Sequence, residues 1–377
     1  MSVETLSEAQ TFIDATRPEI RNLPRYNAGL SIEYVRSHYN VDQIAKLGSN
    51  ENPYGPSPRV LEALTQSVSE CALYPDASCD QLRYLLAERL AVAPERLIFG
   101  NGSEDLIAVL SHAFLSAGDT VVTFAPSFGL HLICPKSVGA HVKTVPVNAD
   151  YQMDVNEVLA ALTPEPRVLI FGNPSNPVGS SITAADFERI LANLTPKTLL
   201  VFDEAYLEYA SADPSYPDFF AMLSSAKTPW LILRTLSKAY GLAGLRIGYA
   251  VASEAALIEL MDRVRAPFNV NRLAQTAAIA ALGDMPYVEK IVALTVNERI
   301  RVQAQLNQLG YRTAPSLANF LFVQAREDAS ELASRLLTKG VIVKPWREAG
   351  FRDHLRVSIG TPQANDQFLS AWNLLAQ

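Results

Sequence analysis

Short apolar runs alternate with longer stretches of helical periodicity between residues 96 and 251. The runs have the length of strands, and several are separated by stretches as long as a helix. Strands that are buried on both faces of a parallel sheet read as nearly continuous apolar segments. The pattern therefore predicts an α/β fold with a mainly parallel seven-stranded sheet flanked by helices. The seven predicted strands are 96–99, 120–124, 142–145, 168–171, 198–202, 230–233 and 247–251.

The rest of the chain predicts helices and a second, smaller α/β domain. Helical periodicity covers 58–70, 79–90, 253–264, 287–310 and 330–339, and three further short strands are predicted at 319–323, 341–343 and 355–359. The segment 23–29 is rich in turn residues and is expected to be an irregular arm. We expect an N-terminal arm with part of the small domain at 1–50, a large domain at 51–268 and a small C-terminal domain at 269–377.

Composition and charge narrow the possible partners and the compartment. A hydrophobic content of 49% and a charged content of 19% are typical of a globular protein, and the net charge of -7 argues against binding to nucleic acid or an anionic membrane. The first 25 residues contain no continuous apolar core, so neither a secretory signal nor a membrane span is expected. Three cysteines in an odd count, without metal-ligand spacing, favour a reducing cytoplasm and no metal.

The stretch TLSKAYGLAGLR at 235–246 carries the first candidate chemistry. It follows the predicted strand 230–233, and ligands of such sheets bind beyond the carboxyl ends of the strands. A lysine in this place, Lys238, can form a Schiff base with an aldehyde, while Ser237 and Arg246 are residue types that hold a phosphate. An aldehyde with a phosphate suggests pyridoxal 5'-phosphate. The alternative is a solvated lysine in a loop.

Two earlier strand ends supply groups for the same cofactor. GNGSED at 100–105 combines glycines with the start of a helix, whose free amides form an anion site, although Ser103 could equally be a simple helix cap. After the strand 120–124, Phe128 could stack on the pyridine ring or be a core aromatic residue.

Two later strand ends complete the pattern. In GNPSNPVG at 172–179, Asn176 could donate a hydrogen bond to the cofactor's ring hydroxyl, or the segment could be only a tight turn. After the strand 198–202, Asp203 could pair with the pyridine nitrogen and Tyr206 could reach the ring hydroxyl, whereas an isolated aspartate there would more often cap a helix. The occurrence of all five groups in this order has no comparable structural explanation.

At this point the chain resembles the fold-type I pyridoxal-phosphate aminotransferases, and among them the histidinol-phosphate aminotransferases. The resemblance extends from about residue 26 to residue 362. Its motifs are SNENPYGPSP at 49–58, YPD at 74–76, GNGSED at 100–105, NPSNPVG at 173–179, DEAY at 203–206, and TLSK with GLAGLR within 235–246.

The resemblance implies a role for each motif residue. Lys238, Asp203 and Tyr206 would be catalytic: Lys238 would carry the cofactor and move the substrate's α proton, and Asp203 would pair with the pyridine nitrogen. The remaining cofactor-binding residues would be Gly102, Ser103, Glu104, Phe128, His131, Asn176, Ser237 and Arg246, with Tyr74 supplied by the neighbouring subunit. The implied unit is a homodimer with shared active sites.

Two positions depart from the commonest histidinol-phosphate pattern. Phe128 stands where a tyrosine is usual, which keeps the stacking and loses a hydroxyl. His131 replaces a second tyrosine, and related aspartate aminotransferases carry a histidine at the matching position. We expect His131 to support Asp203, the alternative being a capped or core histidine.

Arg356 is the candidate for binding the substrate's acidic group. It lies in the apolar run LRVSIG at 355–360, where an unpaired guanidinium would be costly, so it requires an anion or an internal salt bridge. The resemblance assigns this position to the carboxylate or phosphate of the substrate. Tyr26, Asn27, Asn52 and Lys344 are the further substrate candidates, and Lys344 stands where many relatives carry arginine.

The expected activity is histidinol-phosphate:2-oxoglutarate transamination with ping-pong kinetics. Because a lysine binds phosphate without the two-pronged geometry of arginine, an aminotransferase for aromatic or other amino acids stays open. A phosphothreonine decarboxylase relative is a more distant possibility. A regulatory module that binds the cofactor without turnover is disfavoured by Lys238, Asp203 and Arg356.

Overall fold

The computed structural model describes residues 12–375, so the first eleven residues of the predicted arm lie outside the described part. Three sheets are formed, of seven, three and two strands. The strands are β1 Ala45–Lys46, β2 Leu97–Asn101, β3 Thr120–Ala125, β4 His141–Pro146, β5 Val168–Gly172, β6 Leu199–Asp203, β7 Trp230–Thr235, β8 Ile247–Ala252, β9 Phe320–Gln324, β10 Val341–Ile342, β11 Lys344–Pro345 and β12 His354–Ser358.

The large sheet has the order β2-β8-β7-β6-β5-β3-β4 and contains all seven strands predicted between residues 96 and 251. The prediction of a mainly parallel sheet is confirmed, with β8 as the strand that runs antiparallel to both of its neighbours. Along β6, Leu200 and Phe202 join one hydrophobic cluster, and Leu199 and Val201 join another on the opposite face. Because successive side chains of a strand point to opposite faces, this alternation means that helices cover the sheet on both sides.

The helices follow amphipathic stretches of the sequence, and polar caps start several of them. Ser57, Thr183 and Asn271 each accept a hydrogen bond from a backbone N–H of the first turn. The helices are α1 Pro18–Arg21, α2 Ile32–Tyr39, α3 Pro58–Ser67, α4 Asp80–Leu90, α5 Ser103–Phe114, α6 Leu130–Ser137, α7 Val155–Ala161, α8 Ala184–Asn193, α9 Leu207–Ala210, α10 Phe219–Ser224, α11 Ala255–Asp262, α12 Arg272–Leu282, α13 Met285–Gln308, α14 Ala329–Leu337 and α15 Pro362–Leu375.

A smaller sheet, β11-β12-β9, lies in the C-terminal part and packs on its own hydrophobic core. β11 pairs with β12 so that Lys344 lies opposite Arg356. The chain segment after β1 is joined to this part by backbone hydrogen bonds: Leu47 N donates to Ile342 O at 2.7 Å, and Ser358 N donates to Leu47 O at 2.8 Å. This segment is thereby held between β10 and β12. The domain boundaries given above stay a prediction.

None of the helices within residues 12–375 combines the length and the apolar composition that crossing a membrane requires.

Candidate active site

One cavity of about 670 Å³ lies beyond the carboxyl ends of the parallel strands, facing the C-terminal sheet. It brings together fifteen of the seventeen residues predicted for the site, from parts of the chain as distant as the arm and β12. These are Tyr26, Asn27, Gly102, Ser103, Glu104, Phe128, His131, Asn176, Asp203, Tyr206, Ser237, Lys238, Arg246, Lys344 and Arg356. The cavity does not include Asn52 or Tyr74.

Lys238 projects into the cavity from the loop that follows β7. Burial, with a smaller contribution from the charge of Arg356, lowers the pKa of Lys238 to about 8. Among residues 12–375 no carboxylate forms an ion pair with this amine. A substantial fraction of the amine is therefore neutral near physiological pH, which is the form that attacks an aldehyde.

Asn52 supports the Lys238 loop from outside the cavity. Its amide donates to Ala239 O at 2.9 Å and to Gly55 O at 3.2 Å. Gly241 in the same loop has φ +75°, and a Cβ there would come within 2.6 Å of Gly55 O. The turn at 52–55 and the Lys238 loop thus pack closely, and Asn52 lies beneath this loop rather than on the wall of the cavity. Its role in substrate binding stays a prediction.

An anion cradle lies at the start of α5. Gly102 has φ +82°, and a Cβ at this residue would come within 2.6 Å of Arg246 Nη2. Ser103, the first residue of α5, lines the cavity together with Ser237 and Arg246, and the amides of a helix's first turn have no partner within the helix. Glu104 forms an ion pair with Arg246 and so orients the guanidinium. The combination of helix N-terminus, glycine, hydroxyl and guanidinium fits a phosphate group.

Asp203 stands at the end of β6 and is held by a chain of buried polar side chains. His131 Nε2 lies 3.2 Å from Asp203 Oδ2, and Ser127 Oγ lies 3.4 Å from His131 Nδ1. Thr123 Oγ1 continues the chain at 3.5 Å from Ser127 Oγ. All four side chains are less than a tenth exposed. The contact between His131 and Asp203 holds the carboxylate in one orientation. It agrees with the expectation that His131 supports Asp203.

Tyr206 carries a phenol oxygen that accepts two amide hydrogen bonds. Asn50 Nδ2 donates to it at 2.9 Å and Asn176 Nδ2 at 3.1 Å. Burial raises the pKa of Tyr206 to about 12, so the phenol keeps its proton at neutral pH. With both oxygen lone pairs occupied, the hydroxyl proton is left to donate to a ligand.

Arg356 is buried but has no carboxylate partner among residues 12–375. Its Nη1 donates to Asn176 Oδ1 at 2.8 Å, and its Nη2 donates to Gly48 O at 2.7 Å. Its Nε is buried without any hydrogen-bond partner in the same part of the chain. The internal salt bridge considered as the alternative is therefore absent from the described residues, and burial lowers the pKa of the guanidinium. The geometry leaves Arg356 ready for an anion.

Residues 42–371 match the family described as aminotransferase class I and II. The chain belongs to this aminotransferase family. A histidinol-phosphate aminotransferase 3 from Rhizobium meliloti is 48% identical over 356 residues, covering 94% of this chain and 96% of that protein. A histidinol-phosphate aminotransferase 1 from Mesorhizobium japonicum is 46% identical over 362 residues, covering 96% and 98%.

A solved structure has the same fold as this aminotransferase. It is a histidinol-phosphate aminotransferase from Sinorhizobium meliloti in complex with pyridoxal-5'-phosphate, with a TM-score of 0.86 and 30% identity, covering 96% of this chain and 97% of that chain. The fold-type I α/β architecture predicted from the sequence is confirmed.

The aminotransferase cavity fits pyridoxal phosphate on three features of its own. A partly neutral lysine amine suits the aldehyde, the cradle at Gly102 and Arg246 suits the phosphate, and the buried Asp203 carboxylate suits a pyridine nitrogen. Phe128, the predicted stacking residue, also lines this cavity.

The N-terminal arm of the aminotransferase lines the cavity next to β11. Lys344 Nζ donates to the backbone carbonyl of Asn27, and the ring of Tyr26 meets Phe128 edge to face with centroids 6.2 Å apart. Burial, followed by the charges of Arg356 and Arg347, lowers the pKa of Lys344 to about 8. The arm therefore contacts Lys344, which lies opposite Arg356, and Phe128, the predicted stacking residue.

Tyr74 lies apart from this cavity. Its side chain is 79% exposed and its ring stacks on Phe268 with centroids 4.8 Å apart. Sequence reasoning missed Asn50 and Glu348, which line the cavity. Asn50 has φ +54°, a left-handed conformation that asparagine adopts more readily than most residues. Its position inside the motif 49–58 is the sequence signal by which it could have been found.

Proposed function

We propose that this chain is a pyridoxal-phosphate-dependent histidinol-phosphate:2-oxoglutarate aminotransferase. The observation that carries the substrate assignment is the pair of Lys344 and Arg356, which lie opposite each other on β11 and β12 and line the cavity. Neither forms an ion pair with a carboxylate among residues 12–375. Two cations without anionic partners suit the dianionic phosphate of histidinol phosphate, and the names of the two rhizobial relatives support the same substrate.

When bound, the cofactor supplies an aldehyde that takes the amino group and a ring that delocalises electrons. The chain's own residues bind and move protons. The Lys238 amine takes up and returns the proton of the substrate's α carbon, for which a pKa of about 8 is suited. Asp203, in contact with His131, would place its carboxylate beside the ring nitrogen, and the Tyr206 hydroxyl would donate a hydrogen bond to a ring oxygen. Gly102, Ser103, Ser237 and Arg246 hold the phosphate.

The same proposal includes a homodimer in which Tyr74 completes the partner's phosphate site. Its support is the exposed apolar surface around this residue, where Leu73 is 61% exposed, Tyr74 79%, Val264 46% and Phe268 43%. Such a concentration of exposed apolar side chains is typical of a subunit contact.

The three cysteines are free, which supports action in a reducing cytoplasm.

An aromatic amino-acid aminotransferase is the second candidate. The aromatic side chains of Tyr26, Phe128 and Trp346 line the cavity, and Lys344 supplies a point charge where an arginine would bind phosphate with two prongs.

Single-turnover spectroscopy separates the two candidates. The loaded enzyme is mixed separately with histidinol phosphate, phenylalanine and glutamate, and the absorbance of the bound cofactor is followed. Rapid conversion by histidinol phosphate and glutamate, with slow conversion by phenylalanine, is expected. Faster conversion by phenylalanine would replace the substrate assignment and leave the aminotransferase chemistry standing. The variant Lys238→Ala is the control and should convert none of the three.

A further inference from the structure

Four acidic side chains line the cavity, and three of them have a basic partner. Glu51 pairs with Lys46 at 2.8 Å, Glu104 pairs with Arg246, and Asp203 contacts His131 at 3.2 Å. The fourth, Glu348, forms no ion pair with any residue of the range 12–375. Its carboxylate is therefore the acidic group of the cavity that the protein itself leaves without a cation.

Glu348 is held in a turn directly after β11. Trp346 N donates to His354 O at 2.9 Å, and Phe351 N donates to Glu348 O at 3.0 Å. Trp346 also lines the cavity, and its indole Nε1 is buried. The backbone of the turn is thus fixed, and the Glu348 carboxylate on the cavity wall has no cation beside it among residues 12–375.

Burial raises the pKa of the Glu348 carboxyl, and hydrogen bonds from the Trp346 side chain and the Ser127 amide offset this only in part. A carboxylate in such a place is unfavourable, because the cofactor and the proposed substrate both bring phosphate groups of the same sign. The arrangement becomes favourable when a ligand brings a cation or an N–H donor to the carboxylate.

We propose that Glu348 is a specificity-determining residue that accepts a hydrogen bond from an imidazole N–H of the substrate. The inference rests on the proposed function, in which the substrate carries an imidazole ring at one end and a phosphate at the other. Lys344 and Arg356 bind the phosphate, and Trp346 supplies the apolar surface beside the ring. A phenyl ring has the same flat shape but no N–H, so Glu348 distinguishes the two rings.

The second substrate provides a test of opposite sign. 2-Oxoglutarate carries two carboxylates and no N–H donor, so a negative Glu348 repels it. Removing this charge should therefore weaken binding of the imidazole substrate. Binding of 2-oxoglutarate should be unchanged or tighter. A residue that merely holds the turn in place would affect both substrates in the same direction.

The experiment compares the loaded wild-type enzyme with Glu348→Gln, which keeps the size of the side chain and removes its charge. Glu188→Gln, an exposed position on α8, is the matched control. Binding of 3-(imidazol-4-yl)propyl phosphate and of 3-phenylpropyl phosphate is measured by calorimetry, together with kcat/KM for histidinol phosphate and for 2-oxoglutarate.

Glu348→Gln should weaken binding of the imidazole phosphate about tenfold, as expected for loss of a charge-assisted hydrogen bond. Binding of the phenyl phosphate should be unchanged. Equal losses for both phosphates, in a wild-type enzyme that prefers histidinol phosphate to phenylalanine, would overturn the role of Glu348 and leave the proposed function standing. A wild-type enzyme that prefers phenylalanine would remove the proposed function and this role with it.

Discussion

Replacing Lys238 with methionine should stabilise the cofactor-free protein at neutral pH, and the gain should disappear in alkali. The folded protein lowers the pKa of Lys238 from its usual 10.5 to about 8. Between these two values the unfolded chain binds a proton that the folded chain has released. The charged lysine therefore costs stability below pH 8, and this cost falls as the pH rises from 8 towards 10.5.

The size of the effect follows from the shift. A difference of one pKa unit corresponds to about 1.4 kcal/mol, so Lys238→Met should raise the free energy of unfolding by at most about 3 to 4 kcal/mol at pH 7. Methionine keeps an unbranched apolar stem of similar length and leaves the wall of the cavity filled.

The assay is calorimetric melting of cofactor-free protein at pH 7, 9 and 10.5. Lys227→Met, at an exposed position, gives the effect of removing a lysine from the surface. The melting temperature of Lys238→Met should exceed that of the wild type by several degrees at pH 7, and the difference should be nearly lost at pH 10.5. A constant difference at all three values, or lower stability at pH 7, would refute the claim that Lys238 is held against its charged form.

Two further predictions concern other buried groups. His131→Phe should weaken binding of pyridoxal phosphate about tenfold, because Asp203 loses the partner that orients it at 3.2 Å; a fluorescence titration measures this, and an affinity equal to wild type would contradict the support of Asp203 by His131. Burial raises the pKa of Glu208, on α9, to about 7, so its ionisation costs stability as the pH rises from its usual value of 4.5 through 7. Glu208→Gln should accordingly raise the melting temperature at pH 8 and have little effect at pH 4.5, and a gain that is the same at both values would count against this reasoning.

The large sheet was predictable because most of its strands are buried on both faces, β4 being the exposed edge strand. Continuous apolar runs such as LLVF at 199–202 mark strands of this kind, and residues of the cavity follow five of the strands, namely β2, β3, β5, β6 and β7. The direction of β8 leaves no such mark, since an antiparallel strand buried on both faces has the same apolar composition. The two-residue strands β1, at 45–46, and β11, at 344–345, are also too short to carry a periodic pattern.

The site was predictable where a residue's chemistry depends on a local motif. Lys238 and Gly102 each stand shortly after a strand, and Asp203 is the last residue of β6, so sequence order alone placed them. Asn52 belongs to an equally distinctive motif, but its amide is occupied by two backbone carbonyls, which only the folded chain reveals. Glu348 is one of 39 acidic residues, and nothing in the sequence distinguishes it. Only the fold shows that it lines the cavity without a cation beside it among residues 12–375.

The bond between Arg356 and Gly48 joins residues that are 308 positions apart. Gly48 O, Asn50 and Ser358 form the seam through which the segment after β1 reaches Tyr206. During synthesis from the N-terminus, this segment has to wait for β12 before its partners exist. The large sheet can form first, since its last strand ends at Ala252. The catalytic cavity is therefore completed last, and a chain released from the ribosome before β12 would carry Lys238 without the arginine that lies across from it.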